Sequence, residues 1–194
     1  MPKNGRRRPD TSLKKKKVWT IACIIFICAV AILFRFGIDK YFPLAYQEQI
    51  SQFTEEFSLK SHGLDEYFVS SVICAESRFN EDAESAKGAV GLMQILPDTG
   101  AWAAEIIGIE AYREEMLSDP DVNIRIGCWY LAYLSDMFGN DKEKTLAAYN
   151  AGPGNVQEWL VDGELVDIQH TETEEYVVKV EEYYKIYKGL YNDF

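Results

Sequence analysis

Seventeen consecutive residues without a charge, VWTIACIIFICAVAILF from Val18 to Phe34, restrict this chain more than any other feature. Continued past Arg35 to Ile38 the run reaches about 21 residues, and roughly 20 apolar residues in a helix cross the hydrocarbon core of a bilayer. Eight basic residues precede it (Lys3, Arg6, Arg7, Arg8, Lys14, Lys15, Lys16 and Lys17), which predicts a cytoplasmic N-terminus. A helix buried in a globular core would keep a polar face, and this one has none. A cleaved signal peptide is the rival. Its apolar core is usually shorter, and the one small-x-small triplet, Ala29-Val30-Ala31, lies inside the run. The expected organisation is a basic cytoplasmic tail over 1–17, a transmembrane anchor over 18–38, a connector over 39–45 and an extracytoplasmic domain over 46–194. The expected partner of Val18–Ile38 is the lipid bilayer. The basic head lies against the span, so no nucleic-acid partner is expected.

The formal net charge of −11 conceals an asymmetry. With the head strongly positive, the outer chain carries roughly −18, and a basic head on an acidic body is itself a topological signal. Beyond residue 45 the pattern is all-α. Tyr46, Ile50, Phe53 and Phe57 recur at helical spacing up to Ser61-His62-Gly63. Asp65 predicts an N-cap for a second helix with Phe68, Val69, Val72, Ile73 and Glu76 on one face. Residues 77–96 read as an ordered loop, and Pro97 opens a helix through about Ile107. Asp119-Pro120-Asp121 precedes a longer helix striped with Ile124, Cys128, Leu131, Leu134 and Phe138. Asp141 begins a shorter one that stops at 150–154. Val156–Leu160 forms a helical turn, 161–170 a loop, and Thr171 with Glu174 the capping box of a last helix. Cys74 and Cys128 sit in apolar helical contexts, either as a disulfide permitted outside the cell or as small buried hydrophobes. There is no CxxC motif and there are only two His residues, so no metal and no cofactor is expected.

Glu76 is the informative residue, because it continues an apolar stripe. A carboxyl on a buried face loses solvation when ionised, so its pKa rises. A carboxylic acid that keeps its proton near neutral pH can donate it to a leaving group.

The stretches around it carry a resemblance. Glu76-Ser77-x-Phe79-Asn80, Ser85, Gly88-Ala89-x-Gly91-Leu92-Met93-Gln94, Ala148-Tyr149-Asn150-Ala151-Gly152 and Glu172-Thr173-x-x-Tyr176-Val177 stand in that order. They resemble the successive motifs of the soluble lytic transglycosylases, lysozyme-like enzymes that cut peptidoglycan. The resemblance runs from about Tyr46 to Tyr187 and implies a lysozyme-like helical catalytic domain whose partner is the peptidoglycan glycan strand. It implies that Glu76 is the single catalytic acid/base and that Ser85 hydrogen-bonds near its carboxyl. Gly91 would let the backbone approach the sugar. Met93 and Gln94 would line the cleft, Gln94 with a donor and an acceptor. Tyr149 and Asn150 would form the opposite wall, and Tyr176 would face the catalytic region. Core packing is the alternative for Met93, Tyr149 and Tyr176, and a helix stop for Asn150. The implied product is a 1,6-anhydro sugar, closed by the substrate's own C6 hydroxyl.

Three rivals remain. A hydrolase on the same fold would want a second acid, for which Asp82, Glu84 and Asp98 are candidates. A glycan-binding or wall-opening subunit of a secretion or conjugation machine would partner with that machinery. A purely structural membrane protein would leave the ordered motifs without a purpose.

Overall fold

The computed structural model describes residues 11–191; the first ten residues of the expected basic tail lie outside the described residues. The chain divides into two units, Met1–Tyr41 and Phe42–Phe194.

The first unit is one helix, α1 (Thr11–Tyr41). Its stretch Trp19–Tyr41 is long and apolar enough to cross a membrane. Trp19, Ile24, Phe26, Ile32 and Leu33 are all exposed, a surface that water disfavours and hydrocarbon accepts. The helix outruns the expected boundary at residue 38, because Asp39 pairs with Arg35 one turn back at 3.2 Å. The expected connector over 39–45 is therefore divided. Asp39–Tyr41 are helical, whereas Phe42 and Pro43 belong to the second unit, where their carbonyls accept from Tyr191 (2.7 Å) and Tyr187 (2.9 Å).

The second unit is a helical body. Its elements are α2 (Gln47–Glu56), a 3-10 turn (Leu59–His62), α3 (Glu66–Glu76), α4 (Pro97–Ile107) and a second 3-10 turn (Glu114–Ser118). Then come α5 (Pro120–Met137), α6 (Lys142–Ala151), α7 (Pro153–Trp159) and α8 (Thr171–Leu190). Between α7 and α8 lies a hairpin of two-residue strands, β1 (Leu160–Val161) and β2 (Glu164–Leu165), with Leu160 opposite Leu165. That segment was expected to be plain loop. Two residues per strand show no alternation, so the pairing rests on the turn at Asp162-Gly163, both left-handed.

Three helices start where a short acid stops the preceding chain. Asp65 accepts from Phe68 N at 3.0 Å, Asp119 from Asp121 N at 2.9 Å, and Asp141 from Lys144 N at 3.0 Å. Each bond satisfies an otherwise orphaned amide and contributes about 1 kcal/mol. The capping box at Thr171 does not form. The cap position is His170, whose carbonyl accepts from Thr173 N (2.9 Å) and Glu174 N (3.1 Å), so Thr171 is already inside the helix. His170 is held there by its ring against Trp159, 4.9 Å away.

Helix α8 packs along α3 and α6, and α5 lies against α2, α4 and α6. Phe68, Val72, Leu92, Ile124, Leu131, Leu146, Val177 and Val180 meet in the core between them. Asp65 fastens α8 to the start of α3, since its second carboxylate oxygen accepts from Lys188 Nζ (2.9 Å) and Tyr184 Oη (3.1 Å). Cys74 and Cys128 are both buried in this core and form no disulfide; they act as small hydrophobes, and burial raises both thiol pKa values.

Candidate active site

Glu76 is the last residue of α3, a helix buried over most of its length. The following Ser77 ends the helix and turns its hydroxyl onto Leu92 O at 2.8 Å, so the helix end and the next loop are one rigid corner. The Glu76 side chain is half-buried, and desolvation pushes its pKa up to about 7. The C-terminal end of a helix adds to that tendency, because its exposed carbonyls repel an anion. Two groups from α8 act the opposite way. The Tyr176 hydroxyl faces the carboxyl, and the Lys179 ammonium attracts its charged form. Tyr176 is buried, and its hydroxyl has no hydrogen bond of regular geometry among the described residues; its interaction with Glu76 is looser than that. Lys179 is fixed by donation to Ala75 O at 3.0 Å and lies 5.6 Å over the Tyr176 ring.

The loop over 77–96 forms the floor. It is laced by its own backbone, with Gly91 N donating to Ala83 O (2.8 Å), Ser85 N to Ala89 O (2.9 Å), and Val90 and Ile95 exchanging bonds at 3.0 Å. Asn123 pins the loop from beneath. This buried side chain donates to Val90 O (2.9 Å) and Leu117 O (2.8 Å) and accepts from Met93 N (2.8 Å). Gly91 sits on Asn123 in a left-handed conformation, φ 81°, and a Cβ there would come within 2.6 Å of Leu117 O. The glycine is required by that approach of protein to protein; it lines neither cavity at the acid.

Two cavities meet at Glu76. One, of about 330 Å³, is lined by Glu76, Ser85, Gln94, Tyr149, Asn150 and Glu172. The other, of about 270 Å³, is lined by Glu76, Asn150, Glu172, Glu175, Tyr176 and Lys179. Glu76, Asn150 and Glu172 border both, so the two are halves of one groove with the acid between them. The larger apolar hollow beside Phe53 and Ile109 is lined by none of these residues.

The structure thus brings together Glu76, Ser85, Gln94, Tyr149, Asn150 and Tyr176. Met93 does not join them by its side chain, which is fully buried and packs on Gly127. Only its main chain serves the site, where Met93 O accepts from Tyr149 Oη at 2.8 Å. Gln94 keeps one of its two expected functions. Its amide nitrogen donates to Ala83 O and Gly91 O, both at 3.0 Å, and the opposite orientation would set three carbonyl oxygens against one another. What Gln94 can offer a ligand is its oxygen, an acceptor. Asn150 is the complement, because its oxygen accepts from Thr173 Oγ1 at 2.8 Å and its two N–H groups are left as donors. The Ser85 hydroxyl accepts from Ala89 N at 3.0 Å.

Asp82, Glu84 and Asp98 line neither cavity; the further carboxylates of the groove are Glu172, which borders both cavities, and Glu175, which borders one, and both are exposed. Sequence reasoning also passed over Asn123 and Lys179, and it quoted Thr173 in a motif without giving it a role. Asn123 left a signal, a polar residue on the same helical face as Ile126, Gly127 and Tyr130. Among the described residues no group of three or more His, Cys, Asp or Glu could hold a metal ion.

Comparison with known proteins shows what the chain is similar to. The family model of the Transglycosylase SLT domain matches residues 54–170. The soluble lytic murein transglycosylase of Escherichia coli K12 is 33% identical over 164 residues, which cover 78% of this chain and 25% of that protein. The membrane-bound lytic murein transglycosylase E of Buchnera aphidicola is 26% identical over 147 residues, 66% of each chain. Among solved structures, an inactive mutant of the lytic transglycosylase Slt of Pseudomonas aeruginosa superposes with a TM-score of 0.67 at 33% identity, over 78% of this chain and 25% of that one. The chain therefore spans about a quarter of the length of its soluble relatives.

Proposed function

The chain belongs to the Transglycosylase SLT domain family, and on that premise we propose that it is a membrane-anchored lytic transglycosylase. Its reaction cleaves the β-1,4 bond between N-acetylmuramic acid and N-acetylglucosamine in peptidoglycan. The observation that carries this reading is one carboxyl, with its pKa pushed up to about 7, set where two halves of a groove meet. A glycan strand laid along the groove would present its bridging oxygen to Glu76. Protonated Glu76 donates to that oxygen as the C1–O bond of N-acetylmuramic acid breaks, and the substrate's N-acetyl group stabilises the charge left on C1. Glu76, now a carboxylate, then takes the proton from the C6 hydroxyl of the same sugar. The C6 oxygen bonds to C1, giving the 1,6-anhydro product and restoring the acid. The attack is intramolecular, so proximity favours it over water.

In this scheme Tyr176 and Lys179 steady the carboxylate form between the two proton transfers. Ser85 and Gln94 form one wall, with the Gln94 oxygen accepting from sugar hydroxyls or amides, and Tyr149 belongs to the wall that carries Asn150. Asn150 supplies donors from the other side. Gly91 and Met93 act only through the backbone they position.

Anchoring is part of the proposal. A helix long enough to span, eight basic residues before it, and a relative named membrane-bound support a single-pass enzyme with a cytoplasmic N-terminus, acting on wall near the membrane.

One observation favours a second reading. Glu172 borders both cavities and could orient a water, which would make the enzyme a hydrolase. Digestion of purified peptidoglycan by the full chain in detergent separates the two by mass, because the anhydro product is lighter by one water. Glu76→Gln should slow cleavage by roughly 10²–10⁴-fold. A reducing sugar as sole product would refute the cyclisation, and an undiminished Glu76→Gln rate would refute the role of the acid.

A further inference from the structure

A path of aromatic rings leaves the groove and comes to the surface. Tyr149, in the wall beside Glu76, lies 5.5 Å from Tyr130 on α5, and Tyr130 lies parallel to Tyr133 at 6.4 Å and 11°. Tyr133 stacks on Trp129 one turn back, at 5.6 Å and 21°. Trp102 of α4 closes the cluster edge-on, 4.8 Å from Trp129 and 4.9 Å from Tyr133. Trp102 is 38% exposed, and Ile106, one turn further along α4, is 59% exposed.

Trp129, Tyr130 and Tyr133 are half-buried and pack against the core, whereas Trp102 lies outside it and keeps part of its ring exposed. Helix α4 buries the small residues Gly100, Ala103 and Ala104, Gly100 against Tyr112 and Leu117, while Trp102 meets the rings of α5 and stays partly exposed. The exposed part of Trp102 and the neighbouring Ile106 add little to the fold, and contiguous exposed apolar surface marks a place where something binds.

We propose that Trp102, Trp129 and Tyr133 form a second glycan platform, which continues the groove and takes sugars of the same strand remote from the bond being cut. The proposal rests on the glycan-cutting reading given above. The faces of pyranose rings are lined with C–H groups of slight positive charge, and these suit the negative faces of aromatic rings while the sugar hydroxyls stay in water. A strand is far longer than the groove, so it must run over the adjoining surface. Charge speaks against an anionic lipid headgroup: α4 contains Asp98 and Glu105 and no basic residue, and Asp136 follows Tyr133 on α5.

The test uses the full chain in detergent with the Glu76→Gln substitution, so that substrate survives. Binding to purified sacculi, which hold long strands, is compared with binding to the trimer of N-acetylglucosamine. Trp102→Ala should weaken sacculus binding about threefold to tenfold and leave trimer binding unchanged, and Trp102→Phe should recover much of the loss. Tyr133→Leu, which keeps apolar bulk but removes a ring, should reproduce the effect if Trp102→Ala fails to fold. Unchanged sacculus binding, or equal weakening for both lengths, overturns the platform. So does a dimer, seen by sedimentation in detergent, that Trp102→Ala dissolves while sacculus binding holds. If the Glu76→Gln parent binds sacculi but the wild-type chain cuts nothing, the activity reading fails and the platform is still decided. If the parent binds neither ligand, both fail.

Discussion

Replacing Glu76 by Gln should make the protein more stable, and only above acid pH. Burial raises the carboxyl from its ordinary value of 4.5 to about 7. In the folded state the proton is therefore held more tightly than in the unfolded chain. Between those two values the folded state binds more protons, so stability falls as pH rises through the window. Above about pH 7 both states are ionised and the folded one bears the whole penalty. Below pH 4.5 both are protonated and the penalty vanishes. At about 1.4 kcal/mol per pKa unit the shift corresponds to about 3 kcal/mol. Water reaches this half-buried group through the groove, which brings the expectation down to roughly 1–2 kcal/mol. Gln is neutral and of nearly the same shape, so it removes the penalty without opening a cavity. In thermal unfolding of the full chain in detergent, followed by near-ultraviolet circular dichroism, Glu76→Gln should melt roughly 3–8 °C higher than wild type at pH 8. At pH 4 the two should melt together. A gap of the same size at both pH values, or a less stable variant at pH 8, would show that the carboxyl is not strained by its surroundings.

Two other expectations follow from the neighbours of that acid. Lys179→Met removes the cation that favours ionised Glu76, so the alkaline limb of the cleavage profile should move up by roughly half a unit to one unit; a stationary limb in pH-rate measurements would rule out the influence of Lys179. Asn123→Ala takes the side-chain partner from the Leu117 carbonyl and the Met93 amide, and one of two donors from Val90 O, which should cost roughly 3 kcal/mol and lower Tm by roughly 10 °C; a Tm within a degree or two of wild type would mean that the loop does not depend on this side chain.

The helical body was legible because its punctuation is local. Asp65, Asp119 and Asp141 cap helices by bonds to amides two or three residues on, and Pro97 and Pro120 start helices by their own fixed φ, so a short window contains the whole cause. The same holds for Glu76, whose place on the apolar stripe of α3 was visible in the spacing alone. What escaped depends on distant partners. Met93 reads like a cleft residue until Gly127, 34 positions later, opens a slot for its sulfur. Gln94 offers donor and acceptor on paper, yet the fold of its own loop takes up the donors. Lys179 looks like one more charge on a polar helix, and only the docking of α8 on α3 carries its ammonium to Ala75. Thr171 had the right spacing for a capping box, but the cap fell one residue earlier, a matter decided by Trp159 and His170.

The contact between Lys179 and Ala75 joins residues 104 positions apart. A ribosome thus delivers the acid first and the helix that steadies it a hundred amino acids later. Until that helix has been made and laid down, the nascent polypeptide has only half a groove and an unsupported carboxyl. Any chemistry that needs both the acid and its partners on α8 can therefore begin only after translation has passed α8.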